Sequence, residues 1–135
     1  MAWPYEIRDR LVSQAVGVYN TNIFIGSSAI VPDGDGPYLQ INETGGSGFS
    51  RTHNNTATAY VTAQILVRAQ SYSAARTMIF AAFNALGGEN GLYNFALSGV
   101  DYVSLKARGV PADTGKDAKQ RATLSFNIEA EKFPA

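Results

Sequence analysis

Cysteine is absent from the 135 residues, and histidine occurs once, at His53. Disulfides and thiolate metal sites are therefore excluded, and a His-rich metal site cannot form. Charge of one sign is lacking too: eleven Lys and Arg stand against eleven Asp and Glu. A general nucleic-acid binder carries a clear basic excess, which is missing here. Charged residues make up only 16% of the chain, against a usual share of about 25%. Few charges beside abundant Gly, Ser, Thr, Asn and Ala point to burial against other subunits. No apolar run approaches the roughly 20 residues of a membrane span. The N-terminal MAWPYEIRDRL carries acids early and has no apolar stretch of the kind a secretory signal needs.

What is present is the patterning of one domain, residues 1–135, with one core. Residues 3–16 have helical spacing: Ile7, Leu11 and Ala15 recur every four residues, with Trp3 ahead and Val12 beside Leu11. Pro4 suits the first turn, Gly17 the end, and Glu6, Arg8, Asp9 and Arg10 fall mostly on the outer side. Two short β-rich runs follow, near 22–30 and 37–42, with the turn chemistry of PDGDGP between them. Residues 45–57, GGSGFSRTHNNTA, have no periodicity and predict a long polar loop.

From Ala59 to Arg68 the alternation is strict: Ala59, Val61, Ala63, Ile65 and Val67 against Tyr60, Thr62, Gln64, Leu66 and Arg68. A helix over about 73–86 comes next, with Ser71 or Ser73 as its cap. Its apolar face is Ala75, Ile79, Ala82, Phe83 and Leu86, and Gly87–Gly88 stop it. GVDYVSLKARG predicts a fourth strand, VPADTGKDAK a mobile link, and QRATLSFNIEAEKF a fifth strand. In the last, Ala122, Leu124, Phe126, Ile128 and Ala130 face one way and Thr123, Ser125, Asn127, Glu129 and Glu131 the other. One apolar face per strand implies a mainly antiparallel sheet of about five strands with both helices on one face, a two-layer α+β domain.

Motifs that carry chemistry are not supported. GVPADTGKD has five residues between its glycines where a phosphate loop has four, an Asp117 where Ser or Thr holds magnesium, and a strand where a helix should follow. GGSGFS lacks dinucleotide-fingerprint spacing and opens no helix. No GxSxG elbow anchors a Ser–His–Asp triad, so His53 reads as a solvated loop residue. Asp33 and Asp35 in PDGDG lack the remaining ligands of a calcium loop. NET and NNT fit the glycosylation pattern, with nothing to indicate secretion. These residues imply no catalytic site, no metal and no cofactor.

Charge is nevertheless segregated. From Leu11 to Ser50 there are three acids (Asp33, Asp35, Glu43) and no base, a formal −3. From Lys106 to Arg121 five bases (Lys106, Arg108, Lys116, Lys119, Arg121) stand against Asp113 and Asp117, a formal +3. Two solvated loops of opposite sign are one reading. The other is complementary patches in a head-to-tail assembly.

The strand TAQILVRAQ running into SYSAARTMIFAAFNAL resembles the tail terminator proteins of long-tailed bacteriophages, also described as tail completion, minor capsid or head–tail joining proteins. The positions that carry the likeness are Gln64, Val67, Arg68, Tyr72, Ala75 and Leu86, with the leading helix PYEIRDRLVSQAV and the closing strand RATLSFNIEAEK in similar places. The sequence departs where the family often has Gly after the strand's Arg and this chain has Ala69; the 45–57 loop has no counterpart. The resemblance implies a virion protein of the tail and neck, assembled in the host cytoplasm, and not an enzyme. It implies a homo-oligomeric ring, commonly of six, that ends tail-tube growth and docks the head–tail connector, with genome DNA passing through the lumen without specific recognition and with no membrane partner. Asp33, Asp35, Arg51, His53, Arg68, Lys116 and Lys119 are then the candidate subunit or partner contacts. A tail tube or head-completion protein, or a small α+β ligand-binding domain or enzyme, are the competing readings.

Overall fold

The computed structural model describes residues 3–19, 21–26, 34, 36–51, 57–97 and 99–133, with backbone alone at 46–51 and 57. Its elements are α1 (Trp3–Ser13), β1 (Ile23–Ile25), β2 (Tyr38–Arg51), β3 (Ala57–Ala69), α2 (Tyr72–Ala85), β4 (Leu92–Leu97), β5 (Val100–Ala107), β6 (Ala112–Lys116) and β7 (Ala122–Lys132). The sheet runs β1-β2-β3-β7-β5-β4, with β6 pairing β7 off that path. All pairings are antiparallel except β1 with β2. Both helices cover one face, giving the two-layer α+β domain that the alternation predicts.

The centre is the β3–β7 pair, in unbroken register from Ala59↔Lys132 to Ala69↔Ala122. Antiparallel pairing puts directly opposed side chains on the same face. Ala63, Ile65, Val67 and Ala69 therefore join Ala122, Leu124, Phe126, Ile128 and Ala130 in one buried stripe. Leu39 and Ile41 of β2 and Leu105 of β5 widen it. α2 lays Ala75, Met78, Ile79, Ala82, Phe83 and Ala85 on this stripe, and Phe83 meets Phe126 edge-on at 5.6 Å. Ser71 is the N-cap: its hydroxyl accepts from the Ala74 N–H at 3.2 Å. Gly87 ends the helix at φ 101°, where an added Cβ would come within 2.7 Å of Gly91 backbone, so only glycine fits.

The sheet has seven strands, two more than the pattern predicts. β4 is missed because Asn94, at φ 51°, interrupts the alternation of LYNFAL. β6 occupies part of the predicted link 110–119; all five of its residues are exposed, so no apolar period marks it. Its hold on β7 is polar: the Thr114 and Thr123 hydroxyls lie 2.8 Å apart, and Thr123 donates to the Gly115 carbonyl at 3.0 Å. The predicted 45–57 loop is largely strand. β2 continues to Arg51 opposite β3, with bulges near Gly45, which adopts φ 95°. Here the partner strand supplies order that Gly and Ser side chains cannot encode. Only 52–56 of that stretch lie outside the described residues.

α1 also departs from its pattern. It ends at Ser13, before a left-handed Ala15 (φ 58°), so Ala15 is exposed and Val12 is 41% accessible. Glu6, expected outside, is fully buried. Lys132 extends the inward register of β7 by one step, and its ammonium donates to Glu6 Oε1 at 2.9 Å. The Tyr102 hydroxyl donates to the same oxygen. Burial first, then the Glu6 carboxylate, pushes the Tyr102 phenol well above its usual range. This cluster ties the first turn of α1 to the ends of β5 and β7.

Removing one member of a buried pair strands the other charge. Glu6→Ala should therefore lower unfolding stability by roughly 3–5 kcal/mol. The double variant Glu6→Gln with Lys132→Met, which keeps an acceptor for Tyr102, should recover most of the loss. Urea unfolding of the three proteins checks this; equal losses in single and double variants would contradict it.

Candidate functional site

With both helices on one face, the other face of the sheet has no covering layer among the described residues. Its rows follow from the register. Asn42, Gln64 and Asn127 form a carboxamide row across β2, β3 and β7. Gln40, Leu66 and Ser125 form the next, and Tyr38, Arg68 and Thr123 the one at the β2 start. Toward the other end, Tyr60, Glu131, Ser104 and Tyr93 run across β3, β7, β5 and β4. Tyr93 is 58% accessible and Tyr60 39%. Lys106 and Arg108 approach Glu129 at 3.5 and 3.6 Å. Such exposed pairs contribute less than about 1 kcal/mol each.

The face is polar and tyrosine-bearing, and its charges, Arg68, Lys106 and Arg108 against Glu129 and Glu131, nearly cancel. Tyrosine is enriched at protein contact surfaces relative to the rest of a protein's exterior. A depression between Tyr60, Thr62, Ser104, Lys106, Glu129 and Glu131 encloses about 180 Å³, below the roughly 300–1,000 Å³ of ligand pockets. A larger groove of about 440 Å³ lies on the helical side, between the α1 C-terminal turn and α2. It is lined by Ala15, Val16, Asn22, Pro37, Ala74, Thr77, Met78 and Ala81, none of them titratable. Among the described residues no three His, Asp or Glu side chains come together to hold a metal, and no helix is long and apolar enough to cross a membrane.

The free edges carry irregularities that discourage strand addition. β4 has a left-handed residue at Asn94, and β6 is bulged at Gly115 and β2 near Gly45. Bulges twist an edge away from a new partner strand. Contacts at these margins therefore fall to side chains.

One end of the sheet gathers several residues singled out from the sequence. Arg68 is half-buried; its guanidinium donates to the Gly34 carbonyl at 3.2 Å and lies 5.3 Å from the Tyr38 ring centroid. Arg121, which is buried, donates to the same carbonyl at 2.6 Å. Asp117 holds Arg121 in turn, accepting from its Nε at 2.8 Å and its N–H at 2.9 Å. The acidic and basic stretches thus converge at this end within a single chain, through Gly34 and Arg121. Lys116 closes β6 beside them, and Lys119 sits in the turn that Asp117 organises, its N–H donating to Asp117 Oδ1 at 3.0 Å. Asp33, Asp35 and His53 lie outside the described residues, as does the Arg51 side chain; the Arg51 backbone closes β2 opposite Ala57. The Gly34–Arg121 contact joins residues 87 apart in sequence and had no local signal. Tyr93 was missed with its strand.

No family model matches the sequence. No curated protein matches it either. Among solved structures, the fold is similar to that of a chain in the virion of a native gene transfer agent particle, with a TM-score of 0.66 and 15% identity. The likeness spans 98% of this chain and 96% of the other. At that identity the likeness establishes the fold.

The Asp117 turn makes a pH prediction. Hydrogen bonds from the Arg121 backbone, then the Arg121 side chain and the Lys119 backbone, outweigh desolvation and hold the Asp117 carboxyl below the usual carboxylate range. A depressed folded-state pKa contributes stability above the unfolded value of about 4 and loses it as pH falls through the folded value. Asp117→Asn should therefore melt lower than the parent at neutral pH, and the gap should narrow below about pH 4. Thermal melts across that range check it; a pH-independent gap would contradict it.

Proposed function

We propose that this protein is a structural virion component that closes into a ring at the head-proximal end of a phage tail tube. There it ends tube growth and provides the docking surface for the head connector. The observation that carries this reading is the near full-length likeness in fold to a chain of a virion particle. The strand-to-helix stretch from Gln64 to Leu86, which carries the sequence resemblance, forms β3 and α2 at the centre of that fold.

The physical features support an assembly role. Among the described residues, the two groups with displaced proton affinities, Tyr102 and Asp117, belong to opposite ends of the domain and share no cavity. They make no acid–base pair of the kind an active site needs. A sheet that begins with β1 and ends with β4 presents two different margins, and joining unlike margins generates rings when the rotation closes. We place the Gly34–Lys116–Lys119 end at the contact with the tube or connector, where charge orients docking.

Light scattering and negative-stain imaging of the purified protein should give a closed ring of fixed mass; open filaments would indicate a tube protein instead, and persistent monomer would contradict both. Reversing Lys116 and Lys119 to Glu should leave ring mass unchanged and weaken capture of purified tail tubes or connectors. A loss of up to about tenfold is expected, since exposed pairs are worth less than about 1 kcal/mol each. Unchanged capture would remove this end from the docking surface.

A further inference from the structure

The Glu6–Lys132–Tyr102 cluster holds one atom that packing does not account for. Glu6 is fully buried, and its Oε1 receives both the Lys132 ammonium, at 2.9 Å, and the Tyr102 hydroxyl. Its Oε2 is equally buried and has no hydrogen-bond partner among the described residues. A buried carboxylate oxygen without a donor is costly, and folded proteins leave few of them. Two donors crowd one oxygen while the other stands bare.

That division suits acyl transfer. Lys132 is a buried amine, 7% accessible, and its Nζ lies against the carboxyl group at Oε1. Burial disfavours both charges of the pair. Moving one proton from the ammonium to the bare Oε2 leaves a neutral amine facing a neutral carboxylic acid. Tyr102 donates to Oε1, where negative charge develops when the amine adds to the carbon, as an oxyanion-hole donor does. Burial first, then the Glu6 carboxylate, keeps the Tyr102 phenol protonated well above its usual range, so it remains a donor. Phe95 stacks on the Tyr102 ring at 5.2 Å. The fold thus holds amine and acid together, which replaces a bimolecular encounter, and excludes the bulk water that opposes condensation.

We propose that Lys132 and Glu6 condense into an intramolecular isopeptide bond, with Tyr102 as the catalytic residue. The Nζ lone pair adds to Glu6 Cδ, the Cδ–Nζ bond forms and the Cδ–Oε2 bond breaks. Oε2 departs as water, carrying the proton it took from the ammonium and a second released by the nitrogen. Ion pair and amide plus water contain the same atoms, so the step needs no oxidant, activating group or cofactor. The bond ties α1 to β7 across 126 positions, in a chain with no cysteine for a disulfide. A link closing so long a loop constrains the unfolded chain. It concerns the single chain and stands apart from the ring reading.

Intact-mass spectrometry of the purified full chain tests it, after weeks of incubation folded at neutral pH. The parent should weigh less than its sequence by one water, and a digest should give a branched peptide joining the segments that hold residues 6 and 132. Lys132→Met should keep its sequence mass. Glu6→Gln should reach the parent's product by releasing ammonia in place of water. Tyr102→Phe, checked for folding by circular dichroism, should form the bond roughly a hundredfold more slowly, the effect of losing one oxyanion donor. A folded parent that retains its full sequence mass overturns the proposal and leaves the cluster a structural ion pair. A water lost equally from Lys132→Met assigns the dehydration to other residues and overturns it too. A Tyr102→Phe variant that links as fast as the parent overturns the role of the phenol.

Discussion

The pairing of β3 with β7 is the constraint on which the rest of the structure depends. Both strands alternate with period two, and their register holds without a bulge over its whole length. A slip of one residue would turn Ile65, Val67, Leu124, Phe126 and Ile128 to solvent together. That penalty locks the centre of the sheet. β2 then reads its register from β3, and β5 and β6 read theirs from β7. The helices have one apolar stripe to cover, so both lie on the same side. The opposite face remains polar because every second residue of the same strands is polar.

The buried Glu6–Lys132–Tyr102 cluster is a local exception to this hydrophobic logic. Inward register past Ala130 demands an apolar side chain, and the sequence places Lys132 there. The charge is tolerated because α1 delivers a carboxylate to it and β5 a phenol to the same oxygen. Such a pair adds little net stability over apolar residues of similar size. What it fixes is position: α1 has one seating in which neither charge is stranded. The placement of α1 in turn shapes the groove beside α2.

The functional reading follows from what the domain leaves uncovered. It has unlike margins, bulged edges, a tyrosine-bearing polar face and an end where two arginines share one carbonyl. These features support the proposed assembly role.

Much of the fold was legible in the sequence, because burial on one face writes itself as periodicity. The strand from Ala59, the capped helix after Ser71 and the closing strand from Ala122 all carry that mark, and all form where it predicts. The remainder carries no such mark. β6 is wholly exposed, β4 is broken at Asn94, and the far half of β2 is glycine-rich; their order comes from backbone pairing to strands already in place. Glu6 looked like a surface residue because its partner is 126 positions away, and Arg68 like an outward charge because Gly34 is distant in sequence. The sequence by itself determined which residues line the core and that the protein lacks the means for thiol or His-rich metal chemistry. Only the tertiary structure decided which charges are neutralised within the chain and which surfaces stay free, because those depend on contacts between residues that no local period relates.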